Sequence, residues 1–462
     1  MDTTALDRIV SRHERAPAHT DRTAELLRKY DLPVPRYTSY PTAPHFSPAY
    51  TRETFVRQIA NIPADAEASI YVHMLFCKSL CWYCGCTMKV ARDVGAMLDY
   101  ADAVSREIGI VAGALGRKQK VSSIHLGGGT PTWGPREGLM TIMRAIHNAF
   151  EISKEAEFAV EIDPRTLTED MAVDLARLGV NRVSLGVQDF NAQVQEAINR
   201  VQPLSLVERA VGALRNAGIT RINLDLIYGL PLQTEASIAE TVDLAMKLRP
   251  QRIALFGYAH VPWMKKHQKL LERHPLPDAA QRYALFCAAQ ARIDAHGFRQ
   301  IGIDHFAHPD DDLARAAEAT SLNRNFQGYT TDASAVLLGF GASAISALPM
   351  GYAQNDAGIK EYVATVREDR VATTRGRVLT DDDVRRRKLI MDLMCDFQVA
   401  VPPDLAAEAA PALAPLLEDG LFTWEKGRVL KMTHDGRPWV RVVAACFDAY
   451  FKPTAMRHAR AV

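Results

Sequence analysis

The sequence predicts an α/β fold: an incomplete (β/α)6 barrel of the TIM type, with an N-terminal arm and a small, mostly helical C-terminal domain. Three observations predict it. Between about residues 68 and 256, short runs rich in Val, Ile and Leu alternate with helical patterns, one strand and one helix every thirty to forty residues. That is the alternation of a parallel sheet. None of these units carries a dinucleotide-binding G-x-G-x-x-G, which favours a barrel over a doubly wound sheet. The predicted strands also end in polar residues, at the end where barrel active sites form.

Taken in order, residues 1–50 form the arm. Thr20 to Lys29 reads as helix. Leu32 to Pro48 cannot, because Pro33, Pro35, Pro41 and Pro44 interrupt it repeatedly. It is too apolar for a free tail, so it is expected to lie across the domain surface, as a tether or a lid. Residues 51–372 hold the barrel and its extension. Strands are expected at Ser69–Met74, Ser122–Leu126, Phe158–Ile162, Arg182–Val187, Ile222–Ile227 and Arg252–Phe256, each short and rich in branched apolar residues. Helices are expected at about 92–115, 136–150, 167–178, 193–217 and 235–248. The Gly spacing in LLGFGASAIS (337–346) indicates close backbone packing or a wall of the site. Residues 373–462 form the C-terminal domain, with helices at about 381–395, 402–408 and 411–418. A hairpin spans Leu421–Met432, turning at Glu425-Lys426-Gly427, and a last helix runs to about Tyr450. Helices with a hairpin look like a winged-helix unit. Without a basic excess, a docking or covering role fits better than DNA binding.

Composition narrows the function. Lys and Arg total 55 against 54 Asp and Glu, so neither nucleic acid nor an anionic membrane is expected as a partner. The first sixteen residues lack the apolar core of a signal peptide. The weakly polar run from Val336 to Met350 is too short to span a bilayer. Seven cysteines, four of them clustered, do not make a secreted disulfide framework, so a reducing, cytoplasmic setting is expected.

The chemistry concentrates in Tyr71 to Cys86, YVHMLFCKSLCWYCGC. Cys77, Cys81 and Cys84 are spaced C-x3-C-x2-C, and Cys86 follows two residues later. Thiolates packed this densely hold a metal or a cluster. A structural zinc site pairs two distant hooks, and no second hook exists here. Iron–sulfur clusters take Cys thiolates, usually four. If three cysteines hold three irons of a [4Fe–4S] cluster, the fourth iron stays open for a ligand. Spacing alone would let Cys86 close the cluster, which would leave the other polar strand ends unexplained.

Those strand ends carry Gly127-Gly128-Gly129-Thr130 after the second strand, Glu161 and Asp163 at the third, and Gln188 and Asp189 at the fourth. Asp225 lies in the fifth, and Tyr258 and His260 follow the sixth. Any one of these could be an ordinary cap or a satisfied core group. A triple glycine lets a backbone approach a ligand closely, and it matches neither a dinucleotide nor a triphosphate loop. Its plainer reading is a tight turn. Tyr71 and His73 share one strand face, beside the cluster or as satisfied core residues.

The three-cysteine loop, with Tyr83 before its last cysteine, resembles the radical S-adenosylmethionine (SAM) superfamily. Together with PRYTSYPTA (35–43), YVH (71–73), GGGTPT (127–132), EIDPR (161–165), GVQDFN (186–191), DLIYGLP (225–231), YAH (258–260), DHFA (304–307) and FQGYTT (326–331), it is similar to the oxygen-independent coproporphyrinogen III oxidase family. The likeness runs from about residue 30 to 450. It implies a radical SAM barrel, and conversion of coproporphyrinogen III to protoporphyrinogen IX by oxidative decarboxylation of two propionates. It implies a [4Fe–4S] cluster on Cys77, Cys81 and Cys84, with Cys86 as a non-ligand. It further implies two SAM molecules, contacted by Tyr71, Tyr83, Gly128, Gly129, Thr130, Glu161, Gln188, Arg200, Asp225, Ala259 and Ile345. Tyr71 and His73 are the candidate catalytic residues. A flavodoxin- or ferredoxin-like reductant, a final electron acceptor and a monomeric state are expected. Arg36, Arg165 and Lys265 are candidates for the substrate carboxylates, or else solvated surface charges. The loop departs from the family at Met74-Leu75, where Ile-Pro is usual, and at Thr87, where Asn is usual. A haem-carrying relative, an alkyl- or methyltransferase on the same scaffold and a zinc-stabilised structural protein are the competing readings.

Overall fold

The structure, a computed structural model, describes residues 18–452. Residues 1–17 of the expected arm and 453–462 of the expected C-terminal domain lie outside the described residues. Among the described residues, one sheet has twelve strands, numbered here in chain order. They are β1 (Ala68–Met74), β2 (Lys120–Gly128), β3 (Glu151–Ile162), β4 (Arg182–Gln188), β5 (Arg221–Tyr228) and β6 (Arg252–Gly257). The extension adds β7 (Arg299–Ile301), β8 (His305–Ala307), β9 (Val336–Phe340), β10 (Ile345–Leu348), β11 (Gly351–Asn355) and β12 (Thr373–Val378). The order is β12-β11-β10-β9-β1-β2-β3-β4-β5-β6-β8-β7. Strands β1 to β6 pair in parallel, in sequence order. The two ends of the sheet do not pair, so the barrel is open, as expected.

Each crossover helix packs an apolar stripe against these strands. Val94–Leu115 buries Tyr100, Val104, Ile108 and Val111, and Arg136–Ala149 buries Leu139, Ile142, Met143 and Ile146. Asp93 opens the first, accepting from the Ala96 N–H, and Gly116 ends it in a left-handed conformation at φ 67°. Among the described residues, no helix is long and apolar enough to cross a membrane.

The structure changes four expectations. The single helix at 193–217 is two, Ala192–Ala197 and Leu204–Asn216. Asn199 sits at φ 56°, and Gln202 turns back onto the carbonyls of Gly186 and Val187, so the chain leaves helical geometry between them. Conversely, the two helices at 402–408 and 411–418 are one, Pro403–Glu418. Pro411 and Pro415 stand on its exposed side, while Leu405, Ala409, Leu413 and Leu416 hold the opposite side in the core. The helix expected to reach Tyr450 ends at Ala445. The boundary expected at 372/373 falls inside the large sheet, because β12 pairs antiparallel with β11.

The arm touches the sheet, where Ser47 bridges Gly376 of β12, Phe46 stacks on Tyr352 of β11 and Arg36 reaches Gly257 of β6, and it also joins the C-terminal region. Its Leu26, Leu27, Tyr30, Val34, Tyr37 and Tyr40 share one apolar core with Leu389, Leu393, Phe422, Trp439 and Phe447 of the C-terminal region. Polar ties fix this union: Tyr37 Oη donates to Asp448 at 3.0 Å, and Arg441 Nε donates to the Pro35 carbonyl at 3.0 Å. The C-terminal region itself has the expected hairpin, Phe422–Glu425 with Val429–Met432, joined by a third strand, Gln398–Ala400.

Candidate active site

The cysteine loop leaves the C-terminal end of β1 and is tied down from several sides. The Trp82 N–H donates to the Ile198 carbonyl at 3.0 Å, and Asn199 Nδ2 to the Leu80 carbonyl at 2.8 Å. From the segment after β6, Lys265 donates to the Cys86 carbonyl (2.8 Å), His267 to Cys84 (2.9 Å) and Gln268 to Tyr83 (2.9 Å). Gln268 is fully buried and also reaches the Ala259 carbonyl at 3.2 Å, linking Tyr83 to Ala259.

All seven cysteines are free thiols. Hydrogen-bond donors converge on the loop's sulfurs. Arg200 Nη1 stands 3.3 Å and Arg165 Nη2 3.4 Å from Cys81 Sγ, and Thr130 Oγ1 stands 3.5 Å from Cys77 Sγ. Both arginines also bind Asp163, at 3.3 and 2.7 Å. Burial opposes ionisation of Asp163, yet Arg200 and Arg165 hold its carboxyl below the ordinary range. Arg200 is itself buried, and its Nε has no partner. Two guanidiniums beside one carboxylate leave positive charge facing the thiols. Cysteine binds metals as the thiolate, and this positive charge offsets that of an anionic thiolate-held cluster, so the residues present fit one. Among the described residues, no three His, Cys, Asp or Glu side chains are already gathered as a metal-ion site. Cys86 is solvent-accessible.

The glycine turn is tighter than its sequence reading. A Cβ on Gly127 would lie 2.6 Å from Glu161, one on Gly128 2.5 Å from the His73 ring, and one on Gly129 2.7 Å from the Met74 and Leu75 carbonyls. Gly128 also needs φ 105°. Its N–H donates to Glu161 at 2.9 Å, that of Gly129 to Met74 at 2.7 Å and that of Thr130 to Phe76 at 2.9 Å. These amides are therefore committed within the protein, and the turn offers no nest of donors.

Tyr71 and His73 do share a face. His73 Nε2 donates to the Thr87 carbonyl at 2.8 Å, so its Nδ1 accepts from Tyr71 Oη at 3.0 Å. Burial lowers the His73 pKa and keeps the ring neutral. Tyr71 stacks on His125, whose Nε2 donates to Glu161 at 3.1 Å. Burial disfavours charge on Glu161, but His125 and the Gly128 amide overcome this and lower its pKa. His125, missed in the sequence, lies in β2 two residues before the glycine turn, where strand alternation turns it inward.

Glu161 and Asp225 line one hollow inside the open barrel, with His125, Ser184, Asn223 and His305. Burial pushes the Asp225 carboxyl up to about 6, against hydrogen bonds from Ser184 (2.8 Å) and Asn223 (2.7 Å). Gln188, at φ 71°, lies beside Arg200, both within 2.8 Å of where a Gly186 Cβ would stand. Asp189 is used structurally, holding Gln233, Thr241 and the Asn191 N–H. Ala259 and Ile345 do not line the hollow. Ile345 packs near Phe46 and Tyr352, and its carbonyl lies 2.5 Å from a Cβ built on Gly339, the β9 partner of Tyr71.

The three candidate carboxylate partners do not gather. Arg165 is spent on Asp163 and Cys81, and Lys265 on Cys86. Arg36 donates to the Gly257 carbonyl at 3.2 Å and lines a different cavity, with Asp304, Arg437 and Arg441.

Residues 71–245 match the Radical SAM superfamily. The chain is 47% identical to an oxygen-independent coproporphyrinogen III oxidase of Bradyrhizobium diazoefficiens over 438 residues, covering 93% of this chain and 97% of that protein. The chain belongs to the oxygen-independent coproporphyrinogen III oxidase family. The Escherichia coli K12 member is 39% identical over 441 residues, covering 93% and 96%. The solved structure of an Escherichia coli coproporphyrinogen III oxidase, HemN, described as a radical SAM enzyme, superposes with a TM-score of 0.86 at 38% identity, covering 90% of this chain and 98% of that one. The open α/β barrel is thus the radical SAM fold, and this oxidase family is one of oxidoreductases that use a [4Fe–4S] cluster and SAM.

Proposed function

We propose that this enzyme converts coproporphyrinogen III to protoporphyrinogen IX without O2, by oxidative decarboxylation of two propionates to vinyls. The observation that carries this reading is the likeness to oxidases of that name across more than nine-tenths of the chain. Cys77, Cys81 and Cys84 hold the cluster, and Cys86 stays outside it. When bound, the cluster and SAM supply the radical that removes a hydrogen atom from an unactivated propionate carbon, which no protein acid or base can do.

The chain's own groups bind and orient. Arg200 and Arg165 balance the negative charge of the thiolate loop. Glu161, kept ionised, suits an ammonium or ribose hydroxyls, and Asp225 suits the same partners once deprotonated. Tyr71 and His73 fix the floor beside the glycine turn: a neutral His73 has both nitrogens bonded, and taking a proton would require the Tyr71 hydroxyl to turn from donor to acceptor. Gly128, Gly129 and Thr130 shape the turn, and Tyr83, Gln188, Ala259 and Ile345 complete the contacts to two SAM molecules. The arm and C-terminal region form one covering unit. A monomer in the cytoplasm, reduced by a flavodoxin- or ferredoxin-like protein and discharging its final electron to a separate acceptor, completes the reading.

The test is an anaerobic assay of the reconstituted enzyme with SAM, a reductant, coproporphyrinogen III and an electron acceptor. Deoxyadenosine, CO2 and vinyl product should rise together, and all three should vanish in Cys81→Ala. SAM cleavage without decarboxylation would move the substrate to the alkyl- or methyltransferase reading. Tight haem binding with no product would favour a haem carrier.

A further inference from the structure

The charge of this chain is balanced overall but not at the cysteine loop. Residues 77–94 and 261–274 together hold seven Lys and Arg against two acids, Asp93 and Glu272, in a chain with 55 cations and 54 anions. The two segments make one surface. Lys265, His267 and Gln268 bond to loop carbonyls, and Arg273 lies over the Trp82 ring, 5.5 Å from its centre. Six of the cations are solvent-exposed: Lys78, Lys89, Arg92, Lys266, Lys269 and Arg273. Both acids are occupied, Asp93 as a helix cap and Glu272 by His260. Exposed apolar groups stand among the cations, with Val90 at 43%, Trp263 at 46% and Met264 at 68% exposure. Exposed apolar groups on segments charged with one sign mark an interaction surface.

We propose that this face is the docking surface for a small acidic protein that carries single electrons. This rests on the cluster reading above. Charge selects the partner's sign: a cationic face steers an anionic protein and repels a cationic one. Position selects its trade. The face is built on the carbonyls of Tyr83, Cys84 and Cys86, so a carrier seated here lies against the loop that bears the thiols. In the transfer the carrier loses one electron and the cluster gains it.

The test uses the full-length, cluster-loaded enzyme and a flavodoxin as the probe. The variant is Lys89→Glu/Lys266→Glu/Lys269→Glu, three exposed side chains outside the substrate and SAM contacts proposed above. Calorimetry should show wild-type binding that weakens about tenfold between about 0.05 and 0.5 M salt, and at least about tenfold weaker binding by the variant at low salt. SAM cleavage driven by reduced flavodoxin should fall in step with that affinity, while cleavage driven by dithionite stays at the wild-type rate. Equal flavodoxin binding by the two proteins, or no binding by the wild type, overturns the proposal. So does an equal loss with dithionite, which would place these lysines in the site itself. A wild type that cleaves SAM with dithionite but makes no vinyl product sinks the substrate reading instead, and leaves the binding result to decide the surface.

Discussion

Two glutamates flank the end of β1 and show how one residue type serves opposite ends. Glu107 lies 2% exposed on the helix Val94–Leu115, bound by Asn355 Nδ2 (2.6 Å), Tyr362 Oη (2.7 Å) and the Gly341 N–H (2.8 Å). Its donors are all neutral, and burial pushes its pKa up to about 7. Glu161 faces the hollow, bound by His125 and the Gly128 amide, and its pKa is lowered. The Glu107 seam clamps the β9–β10 turn to the helix, and Tyr100 Oη extends the clamp to the His73 carbonyl at 2.8 Å. The first glutamate is sealed in by protein and can lose its charge. The second stays charged and remains open to a ligand. Burial alone therefore does not mark a functional carboxylate; an open side on the hollow does, as Glu161 and Asp225 have and Glu107 lacks.

Breaking each side should give different losses. Glu161→Ala should lower kcat/KM by at least about a hundredfold, because the proposed charge-assisted contact to the cofactor is removed. Its melting temperature should hardly move, since its partners border the hollow. Glu107→Ala should do the reverse, with kcat of the folded enzyme within a few-fold of wild type. Leaving three buried donors unpaired should cost about 3 kcal/mol in a urea titration. The pH sign separates them further. With a folded pKa near 7 against 4.5 unfolded, the Glu107 term is most favourable below about pH 4.5 and is lost as pH rises towards 7. Glu107→Gln should flatten that fall in stability.

A smaller effect is expected at Asp225. With its carboxyl near 6, SAM affinity measured by equilibrium binding should rise as pH increases through about 6, and Asp225→Asn should abolish that rise. The smallest is at the second Tyr-x-His pair. Tyr258 Oη donates to His260 Nδ1 at 2.9 Å, matching Tyr71 and His73, but His260 then donates to Glu272 on an exposed face. Glu272→Gln should change turnover by less than about twofold.

The six barrel strands were legible because each is a short branched-apolar run closed by a polar end. The cysteine loop was legible from spacing alone. The break at Asn199 and Gln202 was not, because the residues from 193 to 217 keep a helical pattern while Gln202 bonds back to a strand 15 residues away. The continuous helix through Pro411 and Pro415 was masked by local proline chemistry, which its buried apolar side overrides. Tyr71 with His73 followed from strand alternation. The ties from Lys265, His267 and Gln268 to the loop span about 180 residues, and no local pattern announces them.

The central claim is that three of the four clustered cysteines hold the cluster and leave one iron open. The most direct measurement is iron and acid-labile sulfide content, with electron paramagnetic resonance of the reduced protein before and after SAM, in wild type, Cys86→Ala and Cys81→Ala. Wild type and Cys86→Ala should show a full [4Fe–4S] complement and a SAM-dependent change of signal, both lost in Cys81→Ala. Loss of the cluster in Cys86→Ala, or a spectrum indifferent to SAM in the wild type, would contradict that claim.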